Sequence, residues 1–234
     1  MKDVKFITVK NPDEGAKETL NIITTLMKQK KLNAIGLATG GTMIPVYEQW
    51  VQSDVDFSNV TTFNLDEYVG IGKDNPNGYA YFMYEHLFNQ KEFKENHLLD
   101  GLTNDLDEEC VRYENLLNDI GLDLQILGVG ENGHIAFNEP GTPFDSVTHV
   151  ATLTPSTLEV NSRFFKEGEK VPQTALTMGI QSILNAKQIL LIAFGEKKRD
   201  ALEKLREGKV DTEWPITKLL EHDHLTVLTD LTFH

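Results

Sequence analysis

Four apolar runs, "AIGLA" (34–38), "LDLQILGV" (122–129), "QILLIAF" (188–194) and "LTVLTD" (225–230), lie far apart in the chain, with amphipathic stretches between them. A strand with one wet face alternates polar and apolar side chains. A run with almost no alternation is buried on both faces, as in a parallel sheet covered by helices. The β-branched and aromatic run "VTTFNL" (60–65) and the opening "KFITV" (5–9) extend the series. The intervening segments carry helix signals. Asn11-Pro12-Asp13-Glu14 combines a capping amide, a proline at the first helical position and acids in the first turn. Leu106, Cys110, Tyr113, Leu117 and Ile120 recur at steps of four and three, the inner stripe of a helix. "GEKKRDALEKLREG" (195–208) reads as a helix ending at Gly208. No repeat, low-complexity segment or linker interrupts the alternation. The expectation is one α/β domain over 1–234, doubly wound, its mostly parallel sheet covered by helices on both faces.

Charge narrows the partners. Lys and Arg total 22 against 36 Asp and Glu, a formal net charge of −14. Nucleic acid and anionic membrane both require a basic face, so neither is expected as a partner. An anionic small molecule must be met by dedicated local positive groups. Cys110 is the only cysteine, which excludes an intrachain disulfide. "MKDVKFITVKNPDEG" lacks the apolar core of a signal peptide, and no run is long enough to span a membrane. These features point to a reducing cytoplasm. The helical stripe makes Cys110 a buried, inert thiol rather than a nucleophile.

Three strands end in unusual sequences, and loops at strand ends are where open α/β sheets collect their chemistry. After "AIGLA" come Thr39, Gly40, Gly41 and Thr42, then a helix over "MIPVYEQWVQ". Glycine-rich backbone turning into a helix start cradles phosphate, although the same residues also suit a plain strand-to-helix turn. After "VTTFNL" comes Asp66, placed either to act as a base over the sheet edge or to cap a helix. After "LDLQILGV" the stretch "GVGENGHIAFNEP" crowds Asn132, His134 and Glu139 into eight positions. A carboxylate such as Glu139 can fix the tautomer of an imidazole and favour its protonated form. Asn132 can hydrogen-bond but never ionise. Cations are scarce near the strand ends: Arg163 in "NSRFF" and the run Lys197-Lys198-Arg199 are the candidates, a solvated helix face being the alternative for the run. His222-Asp223-His224 has no third ligand at metal-site spacing and reads as a solvated loop.

"LATGGT", "FNLDEYVG", "GVGENGHIAFNEP" and "NSRFF", in this order and across nearly the whole chain, resemble the glucosamine-6-phosphate deaminase family. The resemblance implies an enzyme of amino-sugar catabolism that converts glucosamine 6-phosphate and water to fructose 6-phosphate and ammonia, with no metal or organic cofactor. It makes Asp66 the base that moves a proton from C2 to C1, His134 the ring-opening residue, and Glu139 its orienting carboxylate. It assigns the phosphate to Thr39, Gly40, Gly41 and Thr42, with Arg163 and Lys198. Asn132 departs from members that carry aspartate there, which puts its part in proton relay in doubt. Hexameric members bind an activator, N-acetylglucosamine 6-phosphate, through cations following "FNEP". Here "GTPFDSVTHVATLT" has no Lys or Arg, and His149 and Ala151 take their places. The chain also stops at His234, without the C-terminal extension of the regulated members. A monomer or small homo-oligomer is therefore expected.

Two other functions compete. Sugar-phosphate lactonases acting on 6-phosphogluconolactone share the GxG…GH turn, but not "FNEP" or "DEYVG". Non-catalytic sugar-phosphate sensors need a DNA-binding segment, whereas core strand begins here near residue 4, and the acidic charge opposes DNA.

Overall fold

Strand β1 (Lys5–Thr8) is followed by α1 (Pro12–Lys28), β2 (Ala34–Leu37), α2 (Ile44–Gln52) and β3 (Thr61–Asn64) in the computed structural model, which describes residues 4–163, 165, 166 and 169–233. The chain continues through β4 (Asp66–Tyr68), α3 (Tyr79–Met83), a π-helical turn (Tyr84–Phe88), β5 (Glu95–His97), α4 (Leu106–Ile120) and β6 (Leu124–Leu127). Then come β7 (His149–Thr152), α5 (Pro155–Ser162), β8 (Thr174–Thr177), α6 (Ile180–Leu184), β9 (Ile189–Ala193), α7 (Arg199–Arg206) and β10 (Leu225–Thr229).

Seven strands form one parallel sheet in the order β1-β10-β9-β6-β2-β3-β5. β2, β6 and β9 are buried along their whole length, as uninterrupted apolar runs require. From β2 the chain adds β3 and β5 on one side, and β6, β9 and β10 on the other. The order therefore reverses between β2 and β6, and their carboxyl ends flank the crevice where a doubly wound sheet binds ligands. Ile35 and Gly36 of β2 pair with Leu124 and Gln125 of β6. Gly36 leaves the space that the buried Gln125 side chain fills.

The sequence reading omitted two features. β5 is the polar run Glu-Asn-His, which carries no apolar signal. A second, antiparallel sheet, β4-β8-β7, stands beside the first. Its strands, "DEY", "HVAT" and "TALT", are short and mix polar with apolar residues, so no apolar run marks them. Its core is separate: Tyr68, Ile71, Phe137, Ala151, Leu153 and Ala175 pack together.

Helix starts follow the expected chemistry. Asn11 caps α1 by accepting from the Glu14 N–H at 2.9 Å. Cys110 lies on the buried face of α4, and burial, with Asp107 and Glu109 adding to it, pushes its thiol up to about 11. The helices after β2 and β9 start later than the sequence suggests. Each is entered through a 3-10 turn, Gly41–Met43 and Glu196–Lys198, behind a glycine of positive φ, Gly40 at 101° and Gly195 at 86°. No helix among the described residues is long and apolar enough to cross a membrane.

Candidate active site

A cavity of about 620 Å³ opens at the crevice between β2 and β6. Thr39, Gly40, Gly41, Thr42, Asp66, Asn132, His134 and Lys198 all line it. Residues from four distant segments thus converge on one space, as the strand-end argument requires.

Asp66 does not end β3. After Leu65, whose N–H still bonds the Leu37 carbonyl at 3.2 Å, it opens β4 and pairs with Thr177. The second sheet thus holds the carboxyl at the mouth of the first, more rigidly than a loop would. Burial, with the neighbouring Glu67 charge adding to it, pushes Asp66 up to about 8. The helix-capping acid is Glu67 instead. Its carboxylate accepts from the N–H groups of Tyr79 at 3.0 Å and Ala80 at 2.8 Å, where α3 begins, and from that of Tyr68 at 2.9 Å.

His134 is 24% exposed by side chain, and its Nδ1 lies 2.6 Å from the amide oxygen of Asn132. Asn132 Nδ2 donates to Glu139 Oε2 at 3.2 Å, whereas His134 Nδ1 stands 3.8 Å from the same oxygen. An ionised carboxylate only accepts, so the amide must turn Nδ2 towards Glu139 and Oδ1 towards the imidazole. Nδ1 then carries a hydrogen, and Nε2 is left to exchange protons. Burial lowers the His134 pKa, Lys198 lowers it further, and Glu139 opposes both.

The loop around this cluster is tightly built. A Cβ at Gly130 would collide with the His134 ring, so only glycine allows the imidazole to fold back over the turn. Ala136 adopts a left-handed φ of 49°, a conformation that costs a residue with a Cβ about 1–2 kcal/mol. Buried Asn138 holds that turn, donating to the carbonyls of Ile135 and Met178 at 2.9 Å.

Of the cationic run, Lys198 alone lines the cavity, and its Nζ donates to the Val129 carbonyl at 2.7 Å. Burial lowers its pKa. Lys197 pairs with Glu131 at 3.3 Å, and Arg199 with Glu196 at 2.6 Å. Arg163 is not brought to the site. It is exposed at the end of α5, outside the cavity lining, and its Nε donates to the Val160 carbonyl at 2.7 Å. Phe164, within the same "NSRFF" stretch, and the terminal His234 lie outside the described residues. His222 faces the Ala186 carbonyl at 2.7 Å, away from the cavity lining.

Sequence reasoning missed the far wall. Tyr68 and Tyr79 line the cavity with ring centroids 5.0 Å apart, and Asn161 donates to the Tyr68 hydroxyl at 2.8 Å. "DEYVG" and "NSRFF" contain Tyr68 and Asn161, but tyrosine and asparagine carry no charge signal to set them apart from packing residues.

Comparison with known proteins places the chain in a family. Residues 11–228 match the family described as glucosamine-6-phosphate isomerases/6-phosphogluconolactonase. A glucosamine-6-phosphate deaminase of Listeria monocytogenes serotype 4b (strain CLIP80459) is 49% identical over 227 residues, 97% of either chain. One of Streptococcus agalactiae serotype III (strain NEM316) is 48% identical over 227 residues, again 97% of each. Among solved structures, a monomeric glucosamine-6-phosphate deaminase superposes with a TM-score of 0.93 at 40% identity, covering 97% of both chains. The 6-phosphogluconolactonase of Thermotoga maritima shares the fold, with a TM-score of 0.78, at only 18% identity over 97% of this chain and 99% of that one. The chain belongs to the glucosamine-6-phosphate isomerase/6-phosphogluconolactonase family.

Proposed function

We propose that the protein is a glucosamine-6-phosphate deaminase, converting glucosamine 6-phosphate and water to fructose 6-phosphate and ammonia. One observation carries the reading: a single cavity holds a buried carboxyl, an imidazole with its free nitrogen set, and a glycine turn entering a helix beside a lysine. The deaminase relatives, at nearly half identity over almost the whole chain, favour this reaction over lactone hydrolysis. The Thermotoga maritima lactonase, at 18% identity, supports the fold and not the reaction.

The substrate phosphate rests on the backbone N–H groups of the Thr39–Thr42 turn and pairs with Lys198. That arrangement answers the repulsion from a protein of charge −14. Arg163 takes no part in this cradle as the structure stands. Neutral His134 accepts the anomeric hydroxyl proton at Nε2 and returns it to the ring oxygen, opening the sugar. Asn132 holds Nδ1–H, and the Glu139 charge stabilises the imidazolium in passing. Asp66 removes the C2 proton as the substrate ammonium yields a proton to O1, giving an enolamine. Asp66 then delivers its proton to C1, which becomes CH2OH and leaves an iminium at C2. Water adds there and ammonia departs. A short carboxylate on a strand reaches two adjacent carbons without rearrangement. The cationic substrate amine favours the ionised form of Asp66, so substrate binding itself activates the base.

The enzyme acts as a monomer or small homo-oligomer. A lone, buried thiol and an acidic surface suit a cytoplasmic setting. The test is a coupled assay. Fructose 6-phosphate and ammonia should appear in equal amounts from glucosamine 6-phosphate, whereas 6-phosphogluconate formed from its lactone, with no ammonia, would overturn the assignment.

A further inference from the structure

Glu139 is 5% exposed, and its two oxygens are treated unequally. Oε2 receives the Asn132 amide and the Thr154 hydroxyl, each at 3.2 Å. Among the described residues, Oε1 meets no hydrogen-bond partner. A buried carboxylate supplied by only two donors is sensitive to the loss of either.

Thr154 is therefore more than a loop residue. Its Oγ1 also caps α5, accepting from the Thr157 N–H at 3.3 Å. Ser156, Thr157 and Asn161 of that helix line the cavity. The hydroxyl carries one hydrogen, with three acceptors in reach: Glu139 Oε2 at 3.2 Å, Ser156 Oγ at 3.0 Å and Thr157 Oγ1 at 3.2 Å. The carboxylate is the strongest acceptor of the three and takes the hydrogen.

We propose that Thr154 is a positioning residue: its hydroxyl supplies one of the two hydrogen bonds that hold the charge on Glu139, and so ties the Glu139–Asn132–His134 cluster to the α5 wall of the cavity. This deepens the deaminase reading and rests on it for its link to turnover. Removing a donor from an anionic cluster makes the cluster hold a proton more tightly, whichever atom binds it. The other charged groups facing the cluster come from neighbouring elements. Lys198 from the turn after β9 acts on His134, Glu131 and Lys197 act on Lys198, and the Glu213 carboxylate lies near Gly141. None of these touches Thr154 in the structure, so substitutions there leave them in place.

The experiment is a pH titration of the His134 ring by NMR in the intact protein, its resonance assigned by loss in His134→Gln. Thr154→Val and Thr154→Gly both remove the donor, but glycine preserves helix capping to within a few tenths of a kcal/mol. Both should raise the apparent pKa by on the order of half to one unit. Thr154→Ser, which keeps the hydroxyl, should superimpose on the wild type. An unmoved titration in both donor-less variants overturns the proposal. So does a shift in Thr154→Val absent from Thr154→Gly, which would trace to a loosened helix, or an equal shift in Thr154→Ser. The titration needs no turnover, so it stands apart from the deaminase assay. An active enzyme should show the same displacement in the acidic limb of kcat/KM, because neutral His134 is the working form.

Discussion

The amide oxygen of Asn132 lies 2.6 Å from Nδ1 of His134, closer than the Glu139 carboxylate at 3.8 Å. The group in direct contact with the imidazole is thus neutral, and the negative charge acts from behind it. Asn132 transmits hydrogen-bond direction but no proton. It presents an acceptor to His134 and a donor to Glu139 at the same time.

Asn132→Asp should reverse this balance. A carboxylate in contact with Nδ1 favours the imidazolium, and the bond that Nδ2 gives Glu139 is lost as well. Both changes raise the proton affinity of the cluster. Neutral His134 is the working form, so the acidic limb of the pH–rate profile should move upward by roughly one to three units, the range for a close opposite charge. A limb that stays in place would mean that a group other than His134 sets it.

Asp66→Asn should lower turnover by ~10²–10⁴-fold while leaving phosphate binding nearly unchanged, because an amide cannot accept the C2 proton. Inorganic phosphate binding and kcat, measured side by side, check this. In the wild type, solvent deuterium should appear at C1 of the product. A variant that keeps most of its turnover would remove Asp66 from the mechanism.

The same substitution should stabilise the fold in a pH-dependent way. Burial and Glu67 raise Asp66 from an ordinary 3.8 to about 8. Near pH 3 the carboxyl is protonated whether folded or unfolded, and it costs nothing. As pH rises towards 8 the unfolded chain gains from ionising and the folded one does not, so wild-type stability falls across that window and levels off above it. Asp66→Asn escapes the penalty. Its unfolding free energy should exceed the wild type's by a margin that grows between pH 4 and 8, reaching on the order of a few kcal/mol, and denaturant melts across that range check it. A margin independent of pH would contradict the raised carboxyl.

His134→Gln should impair ring opening more than isomerisation, since glutamine can hold a hydrogen bond but cannot shuttle a proton. A substrate analogue that is already open-chain should recover part of the lost rate. Equal losses with closed and open forms would assign His134 another role.

Legibility in the sequence tracked physical signal. β2, β6 and β9 announced themselves because a doubly buried strand admits almost nothing but apolar residues. The cavity residues from Thr39 to Thr42, with Asp66 and His134, stood out by following apolar runs, but position left a plain turn or a helix cap open for the first five, and the family resemblance supplied their roles. Lys198 could not be told from Lys197 or Arg199, since one residue's rotation about a 3-10 turn decides which side chain faces inward. β4, β7 and β8 escaped notice because their residues are mixed in polarity, so backbone pairing and not an apolar run defines them. Arg163 carried the right charge in the right segment, yet it ends α5 pointing to its own helix. Thr154 was invisible, because a threonine before a proline reads only as a helix cap.

Regulation offers the last test. In the segment after "FNEP", Ala151 is buried in the second core beside Tyr68 and Phe137, where a long cationic side chain would not fit. His149 turns Nδ1 to the Val147 carbonyl at 2.8 Å. From Gly141 to Thr154 no Lys or Arg is present, so a dianionic effector meets no fixed positive charge there. Substrate saturation should therefore be hyperbolic, and N-acetylglucosamine 6-phosphate should not activate. Without an effector site for a subunit interface to serve, sedimentation should show a monomer or small oligomer. Rate curves that are sigmoidal alone and become hyperbolic on adding N-acetylglucosamine 6-phosphate would refute this, whatever mass sedimentation returned.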